Sequence, residues 1–116
     1  NDQDFSCFIF PLQEGWNMIG NPFEREVNVS ATKVRQTRQQ GPNTFITTVP
    51  FLTAVTARNW MGNAIYIHNG ANYTYEFCDD TGCGPVLQPW KGYWIWLHRQ
   101  GDGGANTTYE LLIPKP

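Results

Sequence analysis

Residues 64–77 read AIYIHNGANYTYEF, two alternating segments, Ala64 to His68 and Tyr73 to Phe77, set around Asn69-Gly70. Asn-Gly supplies the positive φ that a tight hairpin turn demands, and apolar residues at every second position mark half-buried strands. An even-length turn places Tyr66 and His68 on the same sheet face as Tyr73, Tyr75 and Phe77. One face of the expected hairpin is therefore almost wholly aromatic.

The same pattern spreads outward from this hairpin. Short apolar or alternating stretches, separated by Gly, Asn, Pro and Asp clusters, predict strands near 5–10, 16–20, 26–29, 33–38, 44–48, 92–98 and 108–113. Such spacing is that of an all-β fold, expected here as a two-sheet antiparallel β-sandwich of jelly-roll or immunoglobulin-like type. Residues 50–58 break the pattern. Pro50 at a first helical position, Leu52 and Val55 at i and i+3, and Asn59 as a left-handed stop predict one short helix. Ser30 to Gly41 carries helix-like ends but almost no apolar stripe, so strand followed by polar loop is preferred.

With 116 residues the chain has the size of one domain, read as a single module over 1–116. A net charge of −2 and 16% charged residues give no basic surface of the kind that phosphate contacts require, so nucleic acid is not expected as a partner. No apolar run approaches the roughly 20 residues that span a bilayer, and no membrane association is expected. The Pro-bounded end and the lack of an initiator Met suggest a module cut from something longer, expected to be monomeric. Cys78 and Cys83 bracket a short polar loop that a disulfide would close, which favours a secreted, extracellular setting. Cys7, in an apolar run, is read as a buried inert thiol.

Five Trp, five Tyr and seven Phe make 15% of the chain aromatic, more than a core this small needs. The densest stretch is Pro89 to His98. As a strand it splits into Tyr93, Ile95 and Leu97 on one face, read as core, and Trp94, Trp96 and His98 on the other. A Trp-rich face ending in polar residues suits a platform for sugar, whose axial C–H groups lie flat on a π-system. Lys91, His98, Asn63, Asn72, Gln88 and Glu76 are the candidates for polar contacts. In a sandwich, however, a Trp is more often core than platform. Trp16, inside the apolar Trp16-Asn17-Met18-Ile19 stretch, is read as buried, and Trp60 as more often core than surface. Trp90 and Trp96 are read as exposed, while Trp94, Tyr66 and Tyr75 fit either side.

Catalysis is poorly supplied. Glycoside hydrolysis needs two carboxylates at a set separation, and only Glu76 and Glu110 sit mid-strand, where a solvated face explains both. No Gly-X-Ser-X-Gly elbow surrounds Ser6 or Ser30. His68 and His98 stand far apart, and Asp79-Asp80 lacks calcium-loop spacing, so no metal or other cofactor is expected. A structural Ca²⁺ held by carbonyls or by Asp2, Asp4 or Asp102 is the alternative left open.

The order GWNMIGNPF at 15–23, FLTAVTARNWMGNAIYIHNGANYTY at 51–75, LQPWKGYWIWL at 87–97 and LLIP at 111–114 resembles carbohydrate-binding module family 81, β-sandwich modules attached to bacterial endoglucanases. The resemblance implies binding of β-1,4 and mixed-linkage β-glucans and xyloglucan on a planar aromatic surface running along the strands, without catalysis. It also implies that Trp16, Trp60 and Trp94 serve the fold and that Trp96 meets ligand. The cysteine loop is outside that pattern. The resulting expectation is a non-catalytic module that targets a hydrolase to cell-wall glucan, cello-oligosaccharides included. Its stacking residues would be Trp96, Trp90 and Trp94, with Trp60, Tyr66 and Tyr75 as extensions and Lys91 and His98 beside them. The alternatives are an adhesion or inter-domain interaction sandwich and, less supported, a small glycan-active enzyme using Glu76.

Overall fold

The computed structural model describes residues 7–68, 73–79, 82–83, 86–89, 91–98 and 106–115; the side chains of 68, 73–79 and 82–83 lie outside that description. Strand β1 (Cys7–Leu12) is followed by β2 (Gly15–Gly20), the short β3 (Val27–Asn28), β4 (Lys33–Gln40) and β5 (Asn43–Pro50). Helix α1 (Phe51–Thr56) precedes β6 (Ala64–His68), β7 (Tyr73–Asp79), β8 (Gly82–Cys83), β9 (Val86–Leu87), β10 (Gly92–Leu97) and β11 (Thr107–Pro114).

The strands form a four-stranded sheet ordered β1-β11-β4-β5, a five-stranded sheet ordered β2-β10-β6-β7-β8, and a β3-β9 pair. All named pairings are antiparallel. The two larger sheets face each other across one core. Val34, Val49, Tyr109, Leu111 and Ile113 enter it from the first, and Ile19, Ile65, Tyr93, Ile95 and Leu97 from the second. The all-β sandwich expected from sequence is thus the architecture observed.

Local chemistry accounts for the joints. Gly41, at φ +61, opens the two-residue turn between Gln40 and Asn43, the Gly-first arrangement that suits hairpin twist. Helix α1 buries Phe51, Ala54 and Val55, a single stripe at i, i+3 and i+4. Pro50 sits one place earlier than expected, just outside the helix. The amides of Ala57 and Arg58 both donate to Thr53 O, Asn59 turns left-handed at φ 54, and Trp60 N–H donates to Ala54 O at 2.8 Å. The chain is folded back so that Trp60 drops into the core.

Two asparagines tie the edges of β2. The Asn17 side chain accepts from Gln13 N–H at 2.9 Å and donates to the carbonyls of Gln13 and Gly15 at 2.8 and 3.1 Å. Asn21 donates to Arg25 O and Leu87 O at 2.7 and 2.9 Å and accepts from Phe23 N–H at 2.8 Å. The GWNMIGNPF stretch is therefore a strand with a hydrogen-bonded hub near each end.

Candidate functional site, an aromatic sheet face

Alternation along β2 decides what the outer face of the five-stranded sheet carries. Asn17 and Ile19 point inward and are buried, so Trp16 and Met18 point outward and are 42% and 54% exposed. This corrects the expectation that Trp16 is core. Treating Trp16-Asn17-Met18-Ile19 as a wholly apolar strand overlooks that Asn17 takes the inward place, its amide fully used in the turn at 13–15.

Strand β10 follows the expected split. Tyr93, Ile95 and Leu97 are buried; Trp94 and Trp96 lie half-buried on the outer face. Trp96 pairs with Trp16, and Trp94 pairs with Met18 on one side and Tyr66 on the other. Tyr66 in turn pairs with Tyr75 of β7, whose backbone register puts residues 73, 75 and 77 on this same face. An outward row, Met18, Trp94 and Tyr66, thus crosses three strands, and the backbone register continues it to position 75 of β7. The resemblance implied a surface running along the strands; the row of residues runs across them.

The rings converge. Strands two apart in a sheet lie about 9.6 Å from each other. Yet the Trp16 and Tyr66 centroids are 5.1 Å apart with planes at 30°. The Trp16 indole leans over β10 to reach Tyr66, and Trp96 meets Trp16 edge-on at 5.0 Å and 75°. Gly92 leaves room for Met18 to lie beside it, since a Cβ there would stand 2.8 Å from the Met18 sulfur. Tyr93, anchored inside, accepts from Gln88 N–H at 2.7 Å and donates to Val86 O at 3.3 Å, fixing the segment that leads to exposed Lys91.

The other expected site residues divide. Trp60, 4% exposed, packs edge-on against Tyr109 at 5.4 Å and belongs to the core, so it is no extension of the exposed face. His98 is half-buried at the end of β10, its N–H donating to Trp60 O at 2.8 Å. Trp90 lies outside the described residues, as does the side chain of Tyr75. Residues 78 and 83 are direct cross-strand partners in the β7-β8 pairing, while their sulfurs lie outside the described side chains.

Polar chemistry is sparse among the described residues. Glu110 is held by Arg35 on the opposite sheet, with Nε and Nη2 of Arg35 at 2.9 and 2.7 Å from its Oε1. No group of three or more His, Cys, Asp and Glu side chains is placed to hold a metal among them. Among the same residues, no helix is long and apolar enough to cross a membrane. Among the described side chains, what the outer face of β2, β10 and β6 offers is ring and thioether surface, from Trp16, Met18, Trp94, Trp96 and Tyr66, with no charged group. Comparison of the chain with protein-family models, with curated proteins and with solved structures finds no match.

Proposed function

We propose that the protein is a non-catalytic carbohydrate-binding module of a secreted bacterial protein. In this reading it holds an appended endoglucanase on neutral β-1,4 or mixed-linkage β-glucan. The observation that carries it is Trp16, 42% exposed and stacked with Tyr66 beside Trp96 on a sheet face of uncharged rings. Glucan hydroxyls lie around the rim of each pyranose ring and C–H groups lie above and below it, so an uncharged aromatic surface matches its faces. The earlier resemblance to carbohydrate-binding module family 81 supports the same substrate class. Its assignment of Trp16 to the fold is replaced by Trp16 as the leading contact.

Each sugar that covers about 40–60 Å² of apolar surface gains roughly 1–1.5 kcal/mol at about 25 cal/mol per Å². Three contacts give about 3–4.5 kcal/mol, near the millimolar range, so polar neighbours such as Lys91 and His98 must add to it. The working consequence is avidity for a polymer, with no bond made or broken.

Affinity electrophoresis in gels containing soluble β-glucan tests this. Trp16→Ala and Trp96→Ala are each expected to remove most of the retardation, with thermal unfolding of the Trp16 variant close to that of the parent. Retention of full retardation by the double variant would count against the site. A second reading, packing of the same face on another domain of the parent protein, is favoured by Met18, an exposed flexible apolar side chain within the patch. Absence of binding to any glucan by the parent chain would select it.

A further inference from the structure

We propose a second binding site, where Arg38, on the inward face of the four-stranded sheet beyond the core, and Arg58, in the turn after α1, bind carboxylates of an acidic, uronate-containing polysaccharide. The site is distinct from the aromatic face and lies on the other sheet.

Register places it. Leu111, Val34 and Val49 form one cross-strand row of that sheet and are buried. Two residues further along, Tyr109, Gln36 and Thr47 form the border row, with the Gln36 amide donating to the Tyr109 hydroxyl at 2.8 Å. Two residues beyond that, Thr107, Arg38 and Phe45 share the same face, and Arg38 and Phe45 are exposed there. The face that is core at one end thus emerges into solvent at the other.

Both guanidiniums are seated on rings. Arg38 lies 5.7 Å above the centroid of Phe45, and Arg58 lies 5.6 Å above that of Trp60, which itself packs on Tyr109. A stacked guanidinium keeps its in-plane N–H donors for a carboxylate, in the fork geometry that Lys cannot offer. Arg35, on the opposite face, has Glu110 for that purpose. Neither Arg38 nor Arg58 has a carboxylate partner among the described residues. In the same outer row the Thr107 hydroxyl is buried without a hydrogen bond, a state that native structures seldom leave unexplained. Burial raises the Tyr109 phenol above its ordinary value, with the Gln36 hydrogen bond and the charge of Arg38 pulling the other way, so Arg38 acts on this border.

Charge and shape choose the ligand. The chain as a whole carries −2, so affinity for a polyanion has to come from individual cations held at fixed places, Arg38 over Phe45 and Arg58 over Trp60. A uronate residue carries a carboxylate and an apolar ring face together, which matches Arg38 beside a Phe45 ring that is 45% exposed. An acidic peptide offers only the carboxylate.

The test uses the full chain in gels containing polygalacturonate, neutral β-glucan or poly-glutamate. Arg38→Gln and Arg58→Gln are each expected to weaken polygalacturonate binding roughly tenfold, the scale of one charge-assisted hydrogen bond. Both should leave the neutral glucan result unchanged, and Trp16→Ala should leave polygalacturonate retardation unchanged. Arg38→Lys, which keeps the charge and loses the fork, should lie between parent and Gln variant, with thermal unfolding followed for all. No retardation of the parent by polygalacturonate, or undiminished retardation of the double Gln variant, overturns the site. Equal retardation by poly-glutamate overturns the sugar as its ligand.

Discussion

A polar side chain turned into a strand's core needs its hydrogen bonds supplied, and Asn17 obtains three from the turn that precedes β2. That need fixes the parity of the strand and sends Trp16 outward. Asn17→Ala should therefore lower stability by about 2 kcal/mol, read from a chemical denaturation curve. The loss comes from freed groups of Gln13 and Gly15, with no cavity term of note. A stability change within error would place the hub elsewhere. This residue also marks where sequence reading stopped short at the site. The inward Tyr93, Ile95 and Leu97 and the outward Trp96 were legible from the two-residue alternation of β10, whereas Trp94 fitted either side because it follows another large ring, Tyr93. Trp16 was not legible, because apolar residues on both sides of an Asn hide which parity is inside. The turn glycine at Gly15, followed by Trp-Asn, was the available signal: an Asn two residues after a glycine turn can bond back to it.

At the level of elements, the long strands were legible to within two residues or so, because strand-forming residues and turn residues separate well along the chain. Strands β6 and β7 pair in the expected antiparallel register, with position 66 opposite position 75. Helix α1 and the left-handed Asn59 were legible from Pro50 and the i, i+3 spacing. The two-residue strands β8 and β9 were not, since pairs so short carry no periodicity and exist only through their partners. The first of these bears on the cysteine loop. Residues 78 and 83 oppose each other in an antiparallel pair, where Cα atoms stand about 4.5–5.5 Å apart, inside the span a disulfide accepts. An intact-mass measurement of protein made in an oxidising compartment should find these two thiols bridged and Cys7 alkylatable after unfolding. Reduction should cost about 2 kcal/mol, the loop-entropy value for so small a ring. Full labelling of all three cysteines without reductant would remove the bridge and the argument for compartment that goes with it.

Taken whole, the molecule is elongated, 47 by 33 by 25 Å, and its four-stranded sheet ends in β5, an eight-residue edge with no charged side chain. Edges of soluble sheets are usually guarded by charge or by bulges. Ile46 stands 63% exposed on it, so Ile46→Lys should leave the unfolding free energy within about 0.5 kcal/mol of the parent. Driven to high concentration in sedimentation runs, the Lys variant should stay monomeric at concentrations where the parent begins to pair through this edge; identical profiles for both would show that the edge is guarded without charge. The opposite sheet has a different property at the same scale. With Trp16 held 5.1 Å from Tyr66 and 5.0 Å from Trp96, the electronic transitions of three chromophores are close enough to couple. Folded protein should then give a paired positive and negative aromatic band in far-ultraviolet circular dichroism, absent in the Trp16→Ala variant. A guest that pries these rings apart would dim that couplet, giving the face a label-free optical reporter of its own occupancy.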